Sequence, residues 1–326
     1  MYKGKQRRFE IFISLFFLIL LVSEIRSYGA ERVTIALPSF SISHLAARVA
    51  EVKGYYKEEG FDAPILIVRA SIAVKALTTD DIQYTTVIGT TIRAATQNVP
   101  VKGVMIFNDK PVHLLLAKAQ YKNVKDLKGK TVAISDWGAS SHYATRVLLR
   151  ANNMDPDKGV KYIVIADSGV RYQSLLGEVI DAALFPPPHS FALENKGFSK
   201  LATVSDYLEM VISGVGIADK KLKENPAQVK RMLRALFKAM LFMVNNREDT
   251  VRIATKWLKI DDRTIAERSV DVALKTLSKD GTATNRALEF DVEVTKRTHN
   301  IKEDIPFSKV VDFSIMREVY KELAGK

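Results

Sequence analysis

Four short stretches of this 326-residue chain set small, hydroxyl-bearing or aromatic residues between an apolar run and the start of a helical pattern. Phe40 and Ser41 lead to His44 after RVTIAL, and Gly89 and Thr90 follow YTTVI. Trp137, Gly138, Ser140 and Ser141 follow TVAIS, and Phe185 and His189 flank the prolines after DAAL. The chemistry open to such places is non-covalent. A helix start carries backbone N–H groups without partners and a partial positive charge, and small residues let a guest reach them. Hydroxyls there either cap the helix or donate to a ligand, and for Ser140 and Ser141 the sequence leaves both uses open. Arg171, in DSGVRYQSLL, is the candidate for a charge-assisted bond to an anion, or else a solvated arginine at a helix start.

Covalent and metal chemistry has little to work with. The chain has no cysteine, which removes thiolate catalysis, thiolate zinc sites and a lipoprotein attachment point. His44, His113, His142, His189 and His299 show no ligand spacing, and no HExxH occurs. Ser141 and His142 are neighbours on a helix, and neighbours point apart. Asp80–Asp81 and Asp261–Asp262 are paired only in sequence and are expected to cap the segments that follow. Neither a phosphate-cradling P-loop nor a G-x-S-x-G elbow is present. No catalytic residue, metal or cofactor is expected.

The elements that would position the four stretches come from hydrophobic patterning. RVTIAL, PILIVR, YTTVI, KGVMIF and HLLLA read as strands, with HLAARVAEVKGYYKEEG and SIAVKALT as helices between them; Gly60 is a stop for the first helix. Alternating strands and helices imply parallel sheets with helices on both faces, and such sheets bind ligands beyond the carboxyl ends of their strands. After the polar connector NVKDLKGK the pattern restarts, with a turn at Asp155–Gly159. From Asn225, a cap with Pro226 behind it, helices follow without strands. Met232, Leu233, Leu236, Phe237, Met240 and Leu241 give the first of them one broad apolar stripe.

The order implies a first lobe of residues 30–117 and 209–326, with a second lobe, 118–208, inserted into it. The crossings fall near Ala117–Lys118 and Tyr207–Val211, and a plain tandem of two domains is the alternative. Ahead of this, Lys3, Lys5, Arg7 and Arg8 precede IFISLFFLILLV and a short polar exit, the make-up of a secretory signal peptide over residues 1–29. Its twelve-residue apolar stretch spans ~18 Å, short of the ~30 Å a membrane requires, although an uncleaved anchor is the competing reading. Cleavage without a lipoprotein cysteine would leave the product free in the periplasm. The net charge of +12 is scattered among acids, with no basic run interleaved with aromatics, so no nucleic-acid partner is expected.

Four stretches carry a family resemblance. DLKGKTVAISDWGASSHYATRVLLRANNMDPDKGVKY, GEVIDAALFPPPHSFALENKGF and VGIADKKLKENPAQVKRMLRALFKAMLFMVNN resemble segments of the nitrate/sulfonate/taurine substrate-binding proteins of ABC transporters, and AARVAEVKGYYKEEGF fits their early helix. The resemblance implies an α/β, type II periplasmic-binding-protein fold: two Rossmann-like lobes, two crossing segments and a ligand cleft between them. It also implies a small-molecule ligand captured by closure and an ABC permease as membrane partner; a monomer without enzymatic activity is expected. The same family holds enzymes that make the thiamine pyrimidine, whose cysteine-rich iron motif this chain lacks, and binders of its precursors. Those, and a membrane-tethered sensor, are the alternatives. The aromatic residues among the four stretches point to a guest with a flat or apolar part beside an anionic, sulfonate-like end.

Overall fold

The computed structural model describes residues 29–324, and the expected leader lies outside them but for its last residue. The first sheet is built from β1 (Ile35–Leu37), α1 (Leu45–Val52), β2 (Ile65–Ile67), α2 (Ala70–Thr79), β3 (Tyr84–Thr85), α3 (Ile88–Thr96) and β4 (Val101–Asn108). The second takes β5 (Leu114–Ala117), β6 (Thr131–Ile134), α4 (Ser140–Ala151), β7 (Lys161–Val164), α5 (Ser168–Leu176), β8 (Ala182–Phe185), α6 (His189–Asn195) and β9 (Ser199–Thr203). The chain then returns with β10 (Ser213–Ala218) to the first sheet. It ends in α7 (Pro226–Asn245), α8 (Arg247–Leu258), α9 (Arg263–Lys275), α10 (Asn285–His299) and α11 (Ser314–Ala324).

The strand orders are β2-β1-β3-β10-β4 and β9-β5-β8-β6-β7, so the two sheets repeat one topology. Neither is wholly parallel, which corrects the expectation: β10 runs antiparallel to β3 and β4, and β5 antiparallel to β8 and β9. Each of these is the first strand laid down after a crossing, so the chain enters the sheet from the opposite end. Leu114–Ala117, expected to close the first lobe, therefore opens the second. The outward crossing is Asp109–His113, where Pro111 has no N–H to give a ladder. The sequence hides this because KGVMIF and HLLLA read alike as consecutive strands.

Period-two alternation splits the second sheet's side chains cleanly. Leu115, Val132, Ala182 and Leu184 pack with Ala144 and Leu148 of α4, whereas Leu116, Ala133, Ala183 and Phe185 pack with Leu175 of α5 and Leu193 of α6. On the first sheet, α7 lies against α1 and α11 and buries Met232, Leu233, Leu236, Phe237 and Met240; Leu241 is half-buried. Asn225 stands at the start of α7 but makes no side-chain capping bond. Asp262 caps α9 through Ile265 N–H at 3.1 Å, whereas Asp80 ends α2 with φ of +64° and caps nothing that follows. The stretch expected as one helix up to Gly60 is two, Leu45–Val52 and Tyr55–Glu58. No helix among the described residues is long and apolar enough to cross a membrane.

Central strand β10 went unread in the sequence, because SGVGIA carries the composition of a loop. Its glycines answer close approaches. A Cβ at Gly216 would stand 2.4 Å from Thr91 Oγ1 of α3, and one at Gly214 would stand 2.2 Å from the Met105 carbonyl oxygen of β4. Gly216→Ala should therefore cost about 1–3 kcal/mol by overpacking. Urea unfolding checks this through a lowered midpoint at unchanged slope; an unchanged midpoint would mean that α3 can move aside.

Candidate functional site

Where the strand ends of the two sheets face each other, the lobes enclose a cavity of about 90 Å³. Ser39, Ser41, Ser43, His44, Gly89 and Thr90 line it from the first lobe, and Ser135, Ser140, Ser141 and Arg171 from the second. Both crossings reach it too, through His113 and Ile212. That room is several times what one water needs, yet well below the ~300–1,000 Å³ of a drug-sized pocket. In this arrangement the cavity suits a solute of a few non-hydrogen atoms.

Arg171 is the cavity's one side chain of fixed charge. It is 5% exposed, and its Nη1 donates to the carbonyl oxygens of Ile165 and Ala166 at 2.6 and 2.8 Å, while Nε is buried without a partner. Among the described residues, no Asp or Glu lines the cavity. Asp167, the nearest acidic influence, accepts from Gly169 and Val170 N–H and so caps α5. Burial pulls the Arg171 guanidinium down to about 10, with Asp167 acting the other way, so it stays charged at neutral pH. Burial also drives His44 down to about 3 and His113 to about 4, the latter helped by Arg171, so both imidazoles are neutral. The net charge facing the cavity is thus one positive charge.

Direct bonds hold the lobes together around this space. Asp136, at the end of β6 and 5% exposed, accepts from Arg69 Nη2 at 3.0 Å and from Ser71 Oγ at 2.6 Å, both at the start of α2. Burial raises its carboxyl, but the Ser71 and Arg69 contacts outweigh that and leave it below its ordinary 3.8. Arg93 of α3 donates from Nε to the Gly138 carbonyl at 2.9 Å, and Ser168 Oγ donates to the Phe40 carbonyl at 3.4 Å. Gly89 permits the closest approach: a Cβ there would meet Ser140 Oγ at 2.8 Å.

The start of α4, where the sequence left a choice, is arranged locally. Ser141 Oγ accepts from Ser135 N–H at 2.9 Å and pairs with Ser135 Oγ at 2.7 Å. Gly138, at φ of +71°, donates its N–H to His142 Nδ1 at 3.1 Å. Ala139 at the cap position makes no side-chain bond, and Ser140 faces the cavity.

Of the residues singled out in the sequence, Ser41, His44, Gly89, Thr90, Ser140, Ser141 and Arg171 lie together on the cavity wall. The others do not. Phe40 is 47% exposed, with its ring edge-on to Trp257. Trp137 is 57% exposed and stands edge-on to His142 and Tyr162, lining a separate surface hollow with Gly138. Phe185 is fully buried, because its strand parity aims it under α5 and α6. His189 packs against Tyr172, with ring centroids 5.1 Å apart and planes tilted by 37°. The flat or apolar part expected of the guest loses its basis, since all the aromatic side chains that suggested it point elsewhere. Arg93, Asp136, Ser71 and His113 were not selected from sequence. Asp136 carried one signal, a carboxylate at a strand end inside a run of small residues. Among the described residues, no cluster of three His, Asp or Glu is placed to hold a metal.

With this geometry in view, comparison with known proteins places the chain in a family. Residues 41–250 match the NMT1/THI5-like family, and the chain belongs to it. The riboflavin-binding protein RibY of Chloroflexus aurantiacus is 23% identical over 237 residues, 70% of this chain and 67% of that one. Among solved structures, the periplasmic nitrate-binding protein NrtA of Synechocystis superposes with a TM-score of 0.74 at 14% identity, covering 90% of this chain and 89% of NrtA. The alkanesulfonate-binding protein SsuA of Xanthomonas axonopodis, bound to MOPS, gives 0.71 at 14% identity, covering 87% and 98%. The fold is the type II periplasmic-binding-protein fold that the sequence implied.

If Asp136 fastens the closed arrangement, Asp136→Asn should shift the population towards open forms. Small-angle scattering should then give a larger radius of gyration at neutral pH. In the parent protein the contact is complete above the ordinary carboxylate value and is lost as pH falls through the lowered one. The parent should therefore expand only below about pH 3.8. Identical scattering for parent and variant would remove Asp136 from that role.

Proposed function

We propose that this protein is the extracytoplasmic ligand-binding component of an ABC importer. It takes up a small organic monoanion, carboxylate- or sulfonate-like, between its lobes and delivers it to a membrane permease. It works as a monomer in the periplasm after removal of its leader, and it makes or breaks no bond in the ligand.

The observation that carries this reading is Arg171. A buried guanidinium with an orphan Nε and no carboxylate beside it on the cavity wall, Asp167 acting only from the start of its own helix, leaves charge for the ligand to neutralise. Charge-assisted bonds supply both affinity and selection for an oxyanion. The names of NrtA and SsuA, binders of nitrate and alkanesulfonate, support an anion, and RibY supports a solute-binding role more generally. Cavity size favours a compact guest; a larger one would hold the lobes further apart.

Calorimetry with methanesulfonate and acetate, and with their neutral amides, tests the reading. The parent should bind an anion and return it unchanged. Arg171→Met should weaken that anion roughly 10- to 100-fold and the neutral amide little. Equal losses for both would show that Arg171 acts only through packing. A second check is pH. With burial holding His44 and His113 neutral well below pH 6 and Arg171 charged throughout, affinity for methanesulfonate should be flat between about pH 5.5 and 8.5. A step near pH 6.5 would mean that a histidine at its ordinary value controls binding.

A further inference from the structure

Arg93 does not line the cavity, yet it touches two groups that do. Its Nη2 donates to Thr90 Oγ1 at 3.1 Å, in its own lobe, and to Ser140 Oγ at 3.5 Å, in the other. Its Nε reaches the Gly138 carbonyl across the cleft, and its Nη1 is paired with Asp291 of α10. Both members of that pair are buried, with side chains 4% and 0% exposed. The guanidinium also lies over the Tyr143 ring, 5.1 Å from its centre. It is held on every side, and Asp291 cancels its charge.

The consequence falls on the two hydroxyls. An oxygen that accepts from a guanidinium keeps its own proton to give away. Neither Thr90 nor Ser140 donates that proton to any group among the described residues, and both face the cavity. Thr91 provides the contrast one residue along, since its hydroxyl is spent on the Val87 carbonyl at 3.1 Å. Two unspent O–H donors therefore meet from opposite lobes, oriented by one shared cation.

We propose that Arg93, clamped by Asp291, is a positioning residue that turns the Thr90 and Ser140 hydroxyls to donate to the ligand, one from each lobe. The atoms that the ligand presents there are then favoured to be acceptors, since each hydroxyl has its proton to give and one lone pair already taken. Because the Ser140 and Gly138 contacts exist only when the lobes are together, selecting an oxyanion and closing the cleft become one event. This rests on the cavity being the ligand site, and it adds a specificity element separate from Arg171.

The test is a double-mutant cycle in calorimetry, with methanesulfonate and acetate as the probes. The Thr90→Val/Ser140→Ala protein should bind the better anion at least tenfold more weakly than the parent. In an Arg93→Gln/Asp291→Asn background, which removes both charges and leaves neither buried alone, the same two hydroxyl changes should cost less than twofold more. Arg93→Lys, which keeps the charge but not the fork, should fall between parent and Arg93→Gln/Asp291→Asn. Thermal melting accompanies each variant, so that a lost fold is not scored as lost binding; should the double replacement not fold, the cycle is run on Arg93→Lys. Equal, additive losses in the two backgrounds would overturn the positioning role. Binding abolished by Arg171→Met but untouched by the Arg93 variants would overturn it while leaving the proposed function intact. A parent protein that binds neither anion would remove both.

Discussion

Taking a cation out of water without a direct ion-pair partner is costly, and the space between the lobes is arranged around one such cation. Arg171 spends Nη1 on two carbonyl groups of its own lobe and keeps Nε bare. Everything else on the wall is neutral: serine and threonine hydroxyls, two imidazoles that burial keeps unprotonated, and small apolar side chains. A monoanion entering there relieves the electrostatic cost of the folded protein as well as satisfying its own. That shared relief lets a small ligand, offering few contacts, bias an equilibrium between lobe arrangements.

The fold supplies the rest of the leverage. Each lobe has the same strand order, and each receives its antiparallel strand directly from a crossing. His113 lies at the end of the outward crossing and Ile212 at the end of the return, and both stand on the cavity wall. A guest held there as proposed would touch both lobes and both connections at once. The bonds that bridge the lobes, from Arg69 and Ser71 to Asp136 and from Arg93 to Gly138, use no residue of the cavity wall. They need no ligand atoms of their own, so ligand contacts add to them.

Much of this was legible in the sequence, for reasons that can be located. Strands and helices alternate with clear periodicity, and small residues at the helix starts marked Gly89, Thr90, Ser140 and Ser141 as lying at strand ends. Two kinds of information were missing. Side-chain parity on a short strand cannot be fixed without its register, and that is why Phe185, aimed into the α5–α6 side, looked equivalent to residues facing the cleft. Pairings distant in sequence leave no local trace: Arg93 and Asp291 are 198 residues apart, and Ser71 and Asp136 are 65 apart. Nothing in the sequence set Arg93 apart. β10 was missed because the glycines that let α3 and β4 come close also mimic a loop.

The most direct measurement is crystallographic. In crystals grown with 2-bromoethanesulfonate, anomalous scattering locates the bromine without interpretation of weak density. The account requires the sulfonate to lie between the lobes within hydrogen-bonding reach of Arg171, with the bromine peak beside it. A bromine peak found only on the outer surface, with the space at Arg171 holding water, would contradict it.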